Sequence, residues 1–158
     1  MLRSSAVVLI LMTMLGLSAA ADNCPAGWRK YKHSCYVFIS EFLTYAEAMR
    51  ICNMLRAEIV EINSEEEHSF IGSLLDLNKA THMWIGMNDL IQEGTWVSAS
   101  SGTPVNFTKW MNGEPNEFRG KEDCADYQTH LRAWNDITCS YKHKFVCESK
   151  FNEALVLD

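Results

Sequence analysis

Five side chains in the second half of the chain carry oxygen donors at close spacing. Glu114 and Asn116 flank Pro115, Glu122 follows shortly after, and Asn135 and Asp136 lie side by side behind Trp134. Carboxylates and amides are hard donors, the kind calcium takes in flexible shells of about six to eight oxygens. Five side chains therefore leave coordination positions for a backbone carbonyl, water or a ligand. Three carboxylates outweigh a doubly charged ion, so a metal-free loop should repel itself and metal binding should order it. The amides keep the site from becoming a closed ion trap. Taken alone, Glu114-Pro115-Asn116 reads as an ordinary turn. The conjunction with cysteines at both ends of the chain and with the strand-like Trp84-Ile85-Gly86-Met87 lifts it above that. Paired carboxylates could also hydrolyse glycosides. The sequence carries no GxSxG and no activated nucleophile, and the acids are better explained as ligands, so no catalytic residue is assigned.

The chain that must position these residues has 158 residues, 47% of them hydrophobic, with a formal charge of −6. That is about one domain with a real apolar core. Acidic residues outnumber basic ones 20 to 14, which argues against a phosphate-backbone binder, so no nucleic-acid partner is expected. Residues 1–20 read as a signal peptide, with Arg3, an apolar stretch over 6–17 and the small residues Ser18-Ala19-Ala20-Ala21 at its exit. The product is expected to be secreted and extracellular, with no membrane insertion because no second hydrophobic run follows. Residues 21–148 form the expected domain, and 149–158 a tail with no assigned role. In an oxidising compartment Cys24, Cys35, Cys52, Cys124, Cys139 and Cys147 read as three disulfides, although their number allows fifteen pairings. No cysteine or histidine spacing matches a zinc site, and His33, His68, His82, His130 and His143 are expected at the surface.

Two helices announce themselves by capping signals. Thr44-x-x-Glu47 precedes Tyr45, Ala48, Met49, Cys52 and Leu55 on one face, and Ser64-x-x-Glu67 precedes Phe70, Ile71, Leu74 and Leu75. The acids Glu65, Glu66 and Glu67 sit where a helix start favours negative charge. Alternation predicts a strand over 58–62, and shorter strands over 83–87, 95–97, 124–127, 137–139 and 144–147. Residues 88–122 are long and irregular, as functional loops often are. Trp96, Phe107 and Trp110 should pin that segment to a core. The result is an α+β domain, helices first and strands after.

With these motifs in hand, the segment from Cys24 to Cys147 resembles a C-type lectin domain, in the manner of short perlucin-like lectins. Trp84-Ile85-Gly86-Met87, Glu114-Pro115-Asn116, Glu122-Asp123-Cys124, Trp134-Asn135-Asp136 and the six cysteines carry the resemblance. It implies two helices and short antiparallel strands with a long irregular calcium-binding loop. It also implies the pairings Cys24–Cys35, Cys52–Cys147 and Cys124–Cys139. Arg56 stands where the family often has Gly before its second strand. The implied sugar-bridging calcium ligands are Glu114, Asn116, Glu122, Asn135 and Asp136, with Ca2+ as the cofactor. Glu-Pro-Asn resembles the mannose-type motif, which takes equatorial 3- and 4-hydroxyls (mannose, fucose, N-acetylglucosamine), and Pro115 is expected to be cis. Phe118 and Ile137 flank the ligands and are candidates for apolar contact with sugar, beside Glu114, Asn116, Glu122 and Asn135. Asp89, Glu93, Glu117, Glu122 and Asp123 fall on the positions of an auxiliary calcium site, Glu117 standing where Asp is common. Asn106-Phe107-Thr108 is an N-glycosylation sequon.

The expected partner is therefore carbohydrate, a mannose-type glycan on a microbial or self surface, with innate immunity as one setting. No oligomeric state is assigned. A protein-binding or mineral- and matrix-associated module on the same fold is the competing reading.

Overall fold

The computed structural model describes residues 24–150. The leader expected over 1–20 and residues 151–158 of the tail lie outside them. The chain runs β1 (Arg29–Tyr31), β2 (Ser34–Leu43), α1 (Tyr45–Met54), β3 (Glu58–Ile59), α2 (Glu65–Leu77), β4 (His82–Asn88), β5 (Val97–Ser98), β6 (Cys124–Gln128), β7 (Ala133–Ile137) and β8 (His143–Lys150). The sheet order is β1-β2-β8-β4-β6-β7, with β3 beside β8 and β5 beside β4. Pairing is antiparallel except between β4 and β8. This is an α+β arrangement with two helices and a mixed, mostly antiparallel sheet, as the resemblance implies.

Helices first, strands after, is not the observed order. The ten-residue β2 precedes α1 and pairs along β8, Cys35 opposite Ser149 and Tyr36 opposite Glu148. Its outer half is exposed on both faces, so Val37, Phe38 and Ile39 give no clean alternation. Near the other end, β7 occupies 133–137 rather than 137–139. Its inward residues are Trp134 and Asp136, and a buried carboxylate does not read as a strand's apolar face. Strand β3 keeps only two residues of the expected 58–62, and β8 runs on through Lys150.

Both helices start as their capping signals predict. Glu47 Oε2 accepts from Thr44 N at 3.0 Å and from Thr44 Oγ1 at 2.8 Å. Ser64 Oγ accepts from Glu67 N at 3.2 Å. Glu67 does more than cap, since it is buried and accepts from Tyr36 OH at 2.7 Å and from Asn63 N at 2.9 Å. On α1 the buried face is Tyr45, Ala48 and Cys52, while Leu55 is exposed because the helix has ended before it.

Two apolar clusters line the sheet. One gathers Val60, Ile71, Leu75, Met83, Ile85, Tyr127, Trp134 and Val146, with Trp96, Phe107 and Trp110 of the long loop packed on it. The other gathers Tyr45, Cys52, Trp84, Phe145 and Cys147. The disulfides are Cys24–Cys35, Cys52–Cys147 and Cys124–Cys139, the pairings the resemblance implies. Cys52–Cys147 spans 95 residues and ties α1 to β8. By the chain-entropy relation a loop of that length stabilises the fold by about 4–5 kcal/mol.

Two backbone positions yield stability predictions. Arg56 has φ of 55°, a left-handed conformation that favours glycine. Arg56→Gly should raise the free energy of unfolding by about 0.5–1 kcal/mol, after the larger entropy of the unfolded glycine chain is subtracted. At Gly86 a Cβ would stand 2.6 Å from the carbonyl oxygen of Ile59. Gly86→Ala should therefore lower it by about 1–3 kcal/mol through overpacking. Denaturant midpoints of the two variants against the parent chain check both signs.

Candidate metal centre

Strands β4 and β6 and the edge strand β7 position the aspartates of the site, and the long loop brings the glutamates and Asn116. Strand β4 ends at Asn88, opposite Cys124 at the start of β6, and the next amide, Asp89 N, donates to Asp123 O at 3.1 Å. Strand β7 pairs with β6 so that Asp136 stands opposite Ala125 and Ile137 opposite Cys124. The Cys124–Cys139 bridge locks that register. Asp89, Asp123 and Asp136 are thus held on rigid strand ends, and the irregular chain up to Glu122 folds over them.

At the principal site the Glu114–Pro115 peptide is cis. The Asn116 side-chain amide donates to the Glu114 carboxylate. Asp136 is 1% exposed, and its Oδ2 accepts from Asn116 N at 2.9 Å and from Glu117 N at 2.6 Å. The Asn135 amide donates to the backbone carbonyl of Asp136. Glu122 Oε2 accepts from Phe118 N at 2.8 Å, and Glu122 N in turn donates to Glu117 Oε1 at 3.2 Å. The structure therefore draws Glu114, Asn116, Asn135 and Asp136 into one hydrogen-bonded loop and strand end, with Glu122 beside them.

These groups are engaged with the loop rather than gathered on a point. Among the described residues, three carboxylates or imidazoles come within 4.8 Å of one another in two places, Asp89-Glu93-Asp123 and His82-Asp126-His143. Glu114, Glu122 and Asp136 do not all meet in this way, although Asp136 lies close enough to Glu114 to raise its carboxyl, and backbone N–H groups satisfy Glu122 and one oxygen of Asp136. Asp136 Oδ1 nevertheless has no hydrogen-bond partner among the described residues. A fully buried, half-satisfied carboxylate is costly unless a cation or ordered water completes it. Burial, and after it the hydrogen bond and charge of Asp136, push the Glu114 carboxyl up to about 7. Burial raises Glu122 as well, with Asp136 and Glu117 adding to it. An orphaned buried oxygen amid raised carboxyls and side-chain amides fits calcium.

The auxiliary positions converge more closely. Asp89 is buried, its Oδ2 accepts from Gly94 N at 2.8 Å, and its Oδ1 is without a partner among the described residues. Burial raises its carboxyl, with the charges of Asp123 and Glu117 contributing. Glu93 is raised by burial and then by Asp89 and Glu117. Glu117 and Glu122 sit beside this trio, tied to each other through the loop backbone.

Of the candidate sugar-contacting residues, Phe118 is 60% exposed with the Arg119 guanidinium 5.0 Å over its ring. Ile137 is half-buried and packs on the cluster around Trp84 and Cys124. Asn106 of the sequon is exposed. The expectation of surface histidines fails at His68 and His143, while His82 is partly exposed. His68 is buried against the Tyr127 ring, and His82 and His143 stack on each other beside buried Asp126. That meeting joins three strands distant in sequence, so no local spacing could have signalled it.

The Lectin C-type domain model matches residues 41–149. A perlucin-like protein of Mytilus galloprovincialis is 31% identical over 84% of this chain and 86% of its own length. A type-2 ice-structuring protein of Hemitripterus americanus is 35% identical over 84% of this chain and 78% of its own. Among solved structures, the cow CD23 C-type carbohydrate-recognition domain, determined in the presence of a GlcNAc2Man3 oligosaccharide, superposes with a TM-score of 0.75. It is 28% identical and covers 82% of this chain and 98% of that one.

The raised Glu114 carboxyl sets a sign for pH dependence. Between the ordinary 4.5 and about 7 the folded, metal-free chain holds a proton there that the unfolded chain releases. Folding stability in EDTA should therefore fall as pH rises through that window. Glu114→Gln should make the slope shallower, as read from denaturant midpoints at pH 5 and 7.5, and an unchanged slope would contradict the assignment.

Proposed function

Since the chain belongs to the C-type lectin domain family, we propose that it is a secreted, calcium-dependent carbohydrate-binding protein with mannose-type preference. One observation carries the reading. The buried Asp136, with Oδ1 unpartnered among the described residues, lies directly beneath a cis Glu114–Pro115 turn that brings the Glu114 and Asn116 side chains together.

Glu114, Asn116, Glu122, Asn135 and Asp136 would hold the ion. Bound calcium supplies oxygen coordination shared between protein and the two vicinal hydroxyls of a sugar. The residues do the discriminating. A carboxylate accepts the proton of a sugar hydroxyl, whereas an amide donates to its lone pair. Glu114 before Pro115 and Asn116 after it therefore fix a direction for the hydroxyl pair, and that order is the mannose-type one. Glu122 and Asn135 add a second acid and amide on the other flank. The exposed Phe118 ring offers an apolar face to a pyranose. The support from relatives is of the same kind, since the cow CD23 domain was solved with a mannose-containing oligosaccharide. Asp89, Glu93 and Asp123, with Glu117 and Glu122 beside them, would take an auxiliary calcium that braces the loop. Carboxylates facing one another also imply that acid weakens the grip on the ion, because protons compete for the same oxygens.

A second reading has one observation behind it. Glu114, Glu122 and Asp136 do not draw together into one three-residue group as Asp89, Glu93 and Asp123 do, and an ice-structuring protein is among the relatives. A module that binds protein, mineral or matrix would tolerate that arrangement.

Mannan-agarose separates the two. The protein should be retained in millimolar calcium and released by EDTA, while retention indifferent to EDTA favours the second reading. The double change Glu114→Gln with Asn116→Asp should move preference from mannose toward galactose by competition elution, and unaltered mannose elution would overturn the orientation argument.

A further inference from the structure

His82, Asp126 and His143 come from three adjacent strands of the sheet: β4, β6 and β8. His82 Nδ1 lies 2.9 Å from Asp126 Oδ2, and His143 Nε2 lies 3.4 Å from the same oxygen. One ligand-type atom from each of the three residues falls within 4.8 Å of the others. The two imidazoles stack with centroids 5.4 Å apart, and His143 is braced edge-on by Trp84 at 4.6 Å. We propose that these three residues form a transition-metal site, separate from the calcium positions, that takes zinc.

A plain hydrogen-bonded triad is the alternative, and it leaves too much unpaired. Asp126 is 0% exposed, yet its Oδ1 has no partner among the described residues. His143 Nε2, though 3.4 Å from the carboxylate, is not aligned for a hydrogen bond and is likewise without a partner among them. One His82–Asp126 bond therefore leaves His143 Nε2, facing the same Asp126 Oδ2, without a partner among the described residues, where buried polar atoms are ordinarily satisfied; an ion on Oδ2 would engage it. Ligand atoms around tetrahedral zinc, at bond lengths near 2.0–2.1 Å, stand roughly 3.3 Å apart. The His143–Asp126 separation already matches, and the His82–Asp126 one needs to open by a few tenths of an ångström.

The donor set selects the ion. Two neutral imidazoles and one carboxylate suit zinc or its first-row neighbours, and calcium prefers an all-oxygen shell. Exposure runs in one direction, from buried Asp126 through His143 at 14% to His82 at 37%. The fourth coordination position therefore faces solvent on the His82 side and would be filled by water or by an exogenous donor. Rigid strands hold all three ligands, so binding would clamp β4, β6 and β8 together without ordering a loop.

The test uses the untagged, calcium-loaded full chain, titrated with zinc by calorimetry and with cobalt by visible absorption. One equivalent should bind with micromolar or tighter affinity, cobalt giving the visible bands of a low-symmetry nitrogen and oxygen site. His82→Gln and His143→Gln should each weaken binding by at least about tenfold, while Glu114→Gln leaves it unchanged. Calcium-dependent retention on mannan should persist in both histidine variants, which keeps this result separate from the fate of the sugar reading. Absence of saturable uptake by the parent chain, equal uptake by the histidine variants, or loss of uptake in Glu114→Gln would each overturn the proposal.

Discussion

The candidate centre depends on negative charge held close together where the sheet ends. Asp89, Asp123 and Asp136 are fixed by strand pairing, and Glu93, Glu114, Glu117 and Glu122 are brought over them by the loop. Burial and mutual repulsion raise the carboxyls of Asp89, Glu93, Glu114 and Glu122. In the metal-free chain the loop answers this crowding with its own amides, two of them on one oxygen of Asp136. The other oxygen remains unpaired among the described residues. If a cation binds as proposed, it would relieve this crowding, and ion binding would be coupled to the order of the loop.

The rest of the molecule opposes that tension. Cys124–Cys139 holds β6 against the return of the chain after β7, and Cys52–Cys147 joins the helical half to the central strand β8. Trp96, Phe107 and Trp110 anchor the long loop on the core around Trp134. Buried Glu67 accepts from Tyr36 and Ser34 donates to Glu148 at 2.7 Å, which docks α2 and β8 onto β2 with polar contacts. Those acids are bound up in the scaffold, where they position elements.

Much of this was legible in the sequence because it depended on local chemistry. Thr44 with Glu47 and Ser64 with Glu67 marked both helix starts, whereas the cis peptide before Pro115 was implied by the family resemblance. The six cysteines gave a disulfide frame whose pairing came through family resemblance and is the one observed. What stayed hidden was non-local. Strand β2 lacks alternation because half of it is exposed on both faces, and β7 buries an aspartate where apolar side chains were sought. The His82-Asp126-His143 cluster exists only through the pairing of β4 with β6 and β8, a register no spacing rule encodes. The closer meeting of Asp89, Glu93 and Asp123 was likewise invisible, since residue types state which donors exist and not how far apart the fold sets them.

If sugar and ion share the oxygens of Glu114, Asn116, Glu122 and Asn135, each must strengthen the other, because coupling between two binding events is reciprocal. The most direct measurement is calcium affinity by calorimetry, with and without saturating methyl α-mannoside, with methyl α-galactoside as the control. The account predicts tighter calcium binding in mannoside and little change in galactoside. Calcium affinity indifferent to mannoside would contradict it.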